Sequence, residues 1–168
     1  SVYGFEVEEI PAREVNEVNV SSTKIRKAIQ KGQVRKAAKF MGHPYSIIGS
    51  VVKGEQIGRS IGFPTANIKV KDSSKLIPKE GVYAVQVVYC NKIYPGMLNI
   101  GYRPTVGLDN QLSIEVNIFD FQKNIYGEEL KLEIIQHVRN EIEFISVSDL
   151  KLQLEKDLLD CKKILSGL

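Results

Sequence analysis

The chain has 168 residues, 43% of them hydrophobic and 26% charged, which is typical of a soluble globular protein with room for one domain and an appendage. A formal net charge of +3 argues neither for nor against a nucleic-acid partner, and no apolar run reaches membrane-spanning length. The two cysteines lie far apart in unlike contexts, so we expect a reduced, cytoplasmic protein without a disulfide or a zinc site.

The first 40 residues predict a short strand and a broken helix. Tyr3, Phe5 and Val7 alternate with polar residues, as in a half-buried strand. The chain opens without an initiator methionine, from which we expect a fragment of a longer protein. Ser21 or Ser22 is a good N-cap for a helical segment that continues to about residue 39 and is broken near Gly32.

This helical segment is strongly basic, with seven lysines and arginines and no acidic residue between positions 24 and 39. Such a segment is compatible with an arm that follows a nucleic-acid backbone. It is also compatible with a solvated face covering an apolar stripe, and we favour this second interpretation because apolar residues recur at helical spacing. The stripe consists of Ile25, Ala28, Ile29, Val34 and Ala38.

After Pro44, short apolar runs separated by turn residues predict a β-rich unit. The predicted strands cover residues 45–52, 82–89, 93–100, 112–119 and 130–138, and the second and third of them form a hairpin. Residues 69–75 are predicted to form a surface loop. A final helix over residues 149–165, capped by Ser146 or Ser148, presents an apolar stripe that includes Cys161, and Asp157 beside the stripe is expected to pair with a basic group on the barrel.

A glycine-rich stretch over residues 54–67 carries the strongest chemical signal. Glycines let the backbone approach a ligand closely, and an arginine among them offers forked donors suited to phosphate. The neutral oxygens of Thr65 and Asn67 are of the kind that Mg²⁺ shares with phosphate oxygens. A P-loop is excluded because the glycine spacing is too short, arginine replaces the lysine, and Pro64 opposes the helix that should follow. From the residues alone, a flexible glycine-rich hairpin remains equally compatible.

The strand over residues 112–119 has one apolar and one polar face. Leu112, Ile114, Val116 and Ile118 alternate with Ser113, Glu115 and Asn117. A glutamate on such a face is usually only solvated, but near a phosphate site it is able to accept a proton from an attacking hydroxyl.

Several segments in the same order resemble the riboflavin kinase family. They are Gly-Arg-Ser-Ile-Gly-Phe-Pro-Thr-Ala-Asn at residues 58–67, Gly-Val-Tyr-Ala at 81–84, Asn-Ile-Gly-Tyr-Arg-Pro-Thr at 99–105, and Val-Arg-Asn-Glu-Ile-Glu-Phe at 138–144, where valine replaces the family's leucine. The resemblance covers roughly residues 40–165. It implies a mainly β fold, a six-stranded Greek-key (split) β-barrel with a C-terminal helix packed on it, here preceded by a short strand and helical appendage.

The resemblance also implies an activity and a site. The activity is the magnesium-assisted transfer of a phosphoryl group from ATP to the terminal ribityl hydroxyl of riboflavin, giving FMN in the first step of FAD biosynthesis. Glu115 is the implied catalytic base, and Thr65 and Asn67 are the implied ligands of Mg²⁺. The implied nucleotide-binding residues are Gly54, Gly58, Arg59, Gly62, Pro64, Thr65 and Asn67, and the implied flavin-binding residues are Arg139, Glu141 and Phe144, the last of which is also expected to pack the helix on the barrel.

The segment Ser-Ser-Thr-Lys-Ile-Arg at residues 21–26 resembles a late motif of the adenylyltransferase half of bifunctional riboflavin kinase/FMN adenylyltransferases. In that half, Ser21, Ser22, Thr23 and Arg26 would contact ATP phosphates. The chain lacks the His-x-Gly-His motif that adenylyl transfer requires, so we expect none. Residues 1–42 are therefore interpreted as the C-terminal remnant of an adenylyltransferase domain tethered to a kinase domain over residues 43–168. The expected partners of the kinase are small molecules, riboflavin and ATP, and neither nucleic acid nor a membrane. A non-catalytic flavin- or nucleotide-binding module is the alternative.

Overall fold

The computed structural model describes residues 14–15, 18–54, 58, 61–103 and 111–168. The predicted strand around Tyr3, Phe5 and Val7 lies outside these residues. The elements within them are β1 (Glu14–Val15), β2 (Val18–Asn19), α1 (Ser22–Gln30), α2 (Val34–Met41), β3 (Tyr45–Val52), β4 (Ala66–Val70), β5 (Gly81–Tyr89), β6 (Lys92–Arg103), β7 (Gln111–Ile118), β8 (Glu129–Arg139) and α3 (Val147–Ser166). None of the described helices is long and apolar enough to cross a membrane.

Six antiparallel strands close into a barrel in the order β3-β4-β7-β6-β5-β8, and β8 pairs again with β3. Strand side chains alternate between the two faces, so every second residue of β8 faces the interior, where Leu130, Leu132 and Ile134 are fully buried. Because β4 pairs with β7 while β5 and β6 lie beyond β7, the connections follow a Greek key. The predicted six-stranded Greek-key barrel is confirmed.

The predicted hairpin between β5 and β6 is also present. Its two-residue loop consists of Cys90 and Asn91, which have φ angles of 47° and 60°. Positive φ angles at both positions are typical of the turn whose twist matches the right-handed twist of the flanking strands.

Two details of the predicted strands are wrong. Strand β4 occupies residues that include Lys69 and Val70, which were expected in a surface loop, because only Ile68 of its five side chains is buried and the apolar signal is weak. Leu112 was expected in the core but is 42% exposed. It pairs with Tyr102 at the outer end of the β6–β7 ladder, where Tyr102 is exposed as well.

The basic helical segment forms α1 and α2, which pack as a pair against the barrel. Ser21 is the N-cap of α1, and Gly42, in a left-handed conformation, ends α2 two residues before Pro44, which was expected to end it. The apolar side chains of Ala28, Ile29 and Val34 are buried in one core with the barrel residues. All seven basic side chains are exposed, which agrees with the interpretation of a solvated face over an apolar stripe.

The C-terminal helix α3 begins at Ser146, whose side chain accepts a hydrogen bond from the backbone N–H of Asp149 at 3.1 Å. It packs on β5, β6 and β8. Cys161 is fully buried, as expected, in a second apolar cluster that includes Val82 and Met97 of the barrel. Towards its N-terminal end, α3 leaves a space above the barrel surface, and the polar face of β7 opens into that space.

Candidate active site

Two cavities are both lined in part by the segment that precedes β4. The first, here called the helix-side cavity, has a volume of about 210 Å³ and lies between the barrel and α3. Its walls are largely apolar, and the apolar residues that line it include Ile61, Phe63, Val82, Met97, Leu150 and Leu154. The polar residues Asn99, Glu115 and Glu141 also line it.

The second, here called the turn-side cavity, has a volume of about 470 Å³. It is formed by the turn after β7, residues 121–126, which lies opposite Val51, Val116 and Ile118. Sequence reasoning assigned this turn only a connecting role. Its polar residues Gln122, Lys123 and Asn124 come directly after a strand, as in any surface loop. The sequence therefore did not indicate that this turn lines a cavity.

Thr65 lines both cavities and therefore forms part of the wall between them. Its hydroxyl donates a hydrogen bond of 2.9 Å to Glu115 Oε2, and the hydroxyl of Ser113 donates one of 3.0 Å to Glu115 Oε1. Asn67 is the direct cross-strand neighbour of Glu115. The structure thus brings together Thr65, Asn67 and Glu115, which the sequence separates by up to 50 residues.

Asn117 holds this wall in place and was not predicted as a site residue. It lies two positions from Glu115 on the same face of β7, is only 7% exposed, and donates a hydrogen bond of 2.7 Å from its amide to the carbonyl of Pro64. A buried amide with such a short bond fixes the backbone beside it. The sequence placed Asn117 on the polar face of its strand. That pattern does not show which segment packs against the face, so it did not indicate the contact with Pro64.

The three glycines of the glycine-rich stretch lie beside this wall. A Cβ on Gly54 would lie 2.0 Å from Asn67 Nδ2, and one on Gly58 would lie 2.3 Å from the carbonyl oxygen of Phe63. Gly62 has a φ angle of 87°, which disfavours other residues. Each glycine therefore has a conformational reason to be present, and its contact with a nucleotide stays a prediction. Arg59 lies outside the described residues.

Arg139 joins the barrel to α3. Its Nε donates to both carboxylate oxygens of Asp157, at 3.0 and 2.9 Å, and its Nη2 lies 2.7 Å from Oδ2. Asp157 is 1% exposed and also accepts a hydrogen bond from Gln153 at 2.8 Å. The predicted pairing of Asp157 with a basic group on the barrel is confirmed. Because its guanidinium is held this way, Arg139 lines the cavity as a fixed wall, and its contact with a flavin stays a prediction.

Glu141 and Phe144 belong to the segment between β8 and α3 that covers the helix-side cavity. The Phe144 ring lies 5.9 Å from the Arg139 guanidinium. Burial raises the pKa of the Glu141 carboxyl, although part of the residue reaches solvent, and a hydrogen bond from Asn99 and the nearby charge of Arg139 only partly offset this rise in pKa. Glu141 and Phe144 thus lie at the cavity, as Arg139 does, and their contact with a flavin stays a prediction.

The residues of the adenylyltransferase-like motif lie at the start of α1, well before any cavity-lining residue in the sequence. Ser21 caps the helix by accepting a hydrogen bond from the backbone N–H of Lys24, and Ser22, Thr23 and Arg26 are exposed. Within the described ranges, no group of three or more histidine, cysteine, aspartate or glutamate side chains is arranged to hold a metal ion. Thr65 and Asn67 would bind a metal ion through neutral oxygens, and neither residue is one of these four types.

The model of the flavokinase family, described as riboflavin kinase, matches residues 41–165. Among curated proteins, the bifunctional riboflavin kinase/FMN adenylyltransferase of Listeria monocytogenes is 43% identical over 164 residues, which is 98% of this chain and 52% of the relative. The protein of the same description from Haemophilus influenzae is 42% identical over 95% of this chain and 51% of its own length. The chain thus spans about half the length of the curated relatives it matches.

Two solved structures show the same fold. A chain from Streptococcus pneumoniae described as a macrolide-efflux protein superposes with a TM-score of 0.84 at 38% identity, covering 91% of this chain and 50% of that one. The riboflavin kinase of Trypanosoma brucei has a TM-score of 0.52 at 23% identity, covering 74% of this chain and 81% of its own, so it supports the fold alone. Because the family model matches residues 41–165, about three quarters of the chain, the chain belongs to the riboflavin kinase family.

Proposed function

We propose that this chain transfers the terminal phosphoryl group of ATP to riboflavin, giving ADP and FMN. The observation that carries the proposal is the hydrogen-bonded pair of Thr65 and Glu115 at the wall between two cavities. A reaction between two substrates needs two binding spaces that meet at the reacting atoms, and this wall is where the two spaces meet.

The linings of the two cavities support a particular assignment of substrates. The helix-side cavity has an apolar wall with the flat ring of Phe144 and the thioether of Met97, which suit an aromatic ring system. The turn-side cavity is larger, and Lys123 lies in its wall, so it suits the nucleotide. Gly54 and Gly58 of the glycine-rich stretch lie beside the wall. Backbone N–H groups of this stretch would hold the phosphates, with support from Arg59.

Thr65 and Asn67 would hold Mg²⁺, which neutralises phosphate charge and orients the transferred group when it is bound. The donor chemistry fits, because the Thr65 hydroxyl donates its hydrogen bond to Glu115 and thereby leaves the lone pairs of its oxygen available. A divalent ion that shares its coordination shell with phosphate oxygens and water does not require a cluster of protein carboxylates.

Glu115 accepts the proton of the terminal ribityl hydroxyl. As the hydroxyl oxygen forms its bond to the γ-phosphorus, the bond between that phosphorus and the β–γ bridging oxygen breaks, and ADP leaves with the electron pair. The hydrogen bonds from Thr65 and Ser113 hold the carboxylate in position before the substrate arrives. Positioning and charge neutralisation supply most of the rate in such reactions.

We further propose that residues 1–42 correspond to the end of the FMN adenylyltransferase domain and residues 43–168 to the kinase domain. The bifunctional descriptions of relatives about twice as long support this division, as does the motif at Ser21, Ser22, Thr23 and Arg26. In such a parent protein the kinase domain is tethered to the adenylyltransferase domain. Because these 168 residues contain no His-x-Gly-His motif, we expect them to form FMN and no FAD.

The test is turnover of riboflavin with ATP and Mg²⁺, with the flavins and nucleotides separated by chromatography. We expect FMN and ADP in equal amounts and no FAD. Glu115→Gln should abolish turnover while riboflavin still binds, and Glu155→Gln, on the exposed side of α3, is the matched control that keeps full activity. Riboflavin binding without turnover in the unmodified chain would favour the non-catalytic binding module instead.

A further inference from the structure

Asn99 is a polar residue of the helix-side cavity that the reaction described above does not use. It lies on β6, where its direct neighbours are Val82 on β5 and Glu115 on β7. Side chains of directly opposed residues project to the same face of a sheet, with Cβ atoms roughly 4.5–5.5 Å apart. Asn99 and Glu115 therefore present their polar groups side by side to the cavity that both of them line.

The contact with Glu141 determines which way the Asn99 amide points. Asn99 Nδ2 and Glu141 Oε1 both lie within 4 Å of the point that a Cβ on Gly101 would occupy, so the amide nitrogen is on the side of the carboxylate, and a hydrogen bond from Asn99 lowers the pKa of Glu141 against the larger effect of burial. Only the NH₂ group is able to donate, so Nδ2 faces Glu141 and Oδ1 faces away from it. That oxygen is buried and has no hydrogen-bond partner among the residues that the structure describes.

The glycine at position 101 leaves space for the pair of Asn99 and Glu141. A Cβ on Gly101 would lie 2.6 Å from Glu141 Oε1, so the absence of a side chain at that position makes room for the carboxylate that orients the amide. Buried acceptors without partners are uncommon because they lose their hydrogen bonds to water on folding. An acceptor oriented in this way and left without a protein partner is therefore suited to a donor on a ligand.

We propose that Asn99 Oδ1 accepts a hydrogen bond from a secondary hydroxyl of the ribityl chain and thereby selects flavins that carry an intact polyol. This inference rests on the proposed function. If Glu115 takes the terminal hydroxyl, a group one strand away meets one of the next hydroxyls along the chain. The only N–H group of the oxidised ring system is in the terminal pyrimidine ring, whereas the ribityl chain is attached to the central ring.

The test pairs a variant with substrate analogues. We compare the unmodified chain with Asn99→Ala, measuring kcat/KM and the dissociation constant for riboflavin, for its 2′-, 3′- and 4′-deoxy analogues, and for riboflavin methylated at the ring N–H. In the unmodified chain, one deoxy analogue should lose about 10- to 100-fold in kcat/KM. Asn99→Ala should lose a similar factor for riboflavin and no longer distinguish riboflavin from that analogue.

Three results would overturn the inference. Asn99→Ala could lose the same factor in kcat/KM for every flavin, or lose nothing for any of them. The third is that the variant loses activity on riboflavin and the deoxy analogues but not on the ring-methylated analogue, which would place the bond at the ring N–H. If the variant does not fold, the unmodified chain still decides, since equal kcat/KM for riboflavin and all three deoxy analogues excludes the bond. Failure of the proposed function looks different. Riboflavin would then bind without turnover, and the same comparison of dissociation constants would still test Asn99, while a chain that binds no flavin would refute both.

Discussion

Removal of Asp157 should destabilise the fold strongly, because it leaves the Arg139 guanidinium at the joint between barrel and helix without its partner. Asp157 is 1% exposed and the Arg139 side chain 16% exposed. The carboxylate accepts from Nε and Nη2 of Arg139 and from the amide of Gln153. Asp157→Ala takes away all three contacts at once and also leaves a small void.

The expected magnitude follows from the burial of the pair. Loss of one partner of a buried ion pair costs about 3–5 kcal/mol, because the remaining charge stays without compensation. For a chain of this length, a destabilisation of that size lowers Tm by roughly 6–20 °C. The exposed pair of Asp160 with Lys163 lies on the same helix and is worth less than about 0.5 kcal/mol.

The assay is urea unfolding of the unmodified chain, Asp157→Ala and the matched control Asp160→Ala, followed by circular dichroism. We also expect Arg139→Met combined with Asp157→Leu to recover most of the lost stability, because an apolar pair of similar volume replaces a buried ion pair at little cost. Asp157→Ala within about 1 kcal/mol of the unmodified chain would refute the reasoning. So would a double variant less stable than the single one.

Three further predictions follow from other contacts. Gly54→Ala should leave Tm nearly unchanged but lower kcat about 100-fold, because its Cβ displaces the Asn67 amide, and unchanged kcat would contradict this. Burial and the charge of Lys79 lower the pKa of His137 in the folded state, so on acidification the unfolded chain binds a proton at this residue before the folded chain does. The free energy of unfolding should therefore fall as pH drops below about 6.5. Urea unfolding across that range should show this fall, and His137→Phe should remove it. Burial raises the pKa of the Cys161 thiol to about 12, so a thiol reagent should label exposed Cys90 in the native chain and Cys161 only after unfolding.

The sequence predicted the barrel well where strand signals were strong and locally determined. The period-two pattern identified β8, and the capping serine identified the start of α3. Strand β4 was missed because a strand with one buried residue beside a lysine- and serine-rich turn has almost no hydrophobic signal. Its place in the barrel depends on pairing with β3 and β7, which are distant in sequence.

The site was only partly predictable for the same reason. Asp157 was recognised because a carboxylate beside an apolar helix stripe needs a partner, and the structure supplies Arg139. Glu115 was selected through the family resemblance, since its strand alone does not distinguish it from other glutamates. Asn99 and Asn117 were not selected, because their importance arises from the neighbours that the barrel brings to them.

The pairing of β3 with β8 has a consequence for the order in which the chain folds. These are the first and last strands of the barrel, and Tyr45 opposes Ile134, so 134 − 45 = 89 residues separate the partners. Closing so long a loop delays folding, because its entropy is lost before the pairing is gained. During synthesis α1 and α2 emerge early and form from local contacts, but the barrel cannot close until β8 has left the ribosome. Until then, the apolar surface of the helix pair and the edges of β3 and β5 stay open, and in that interval the nascent chain is most exposed to aggregation.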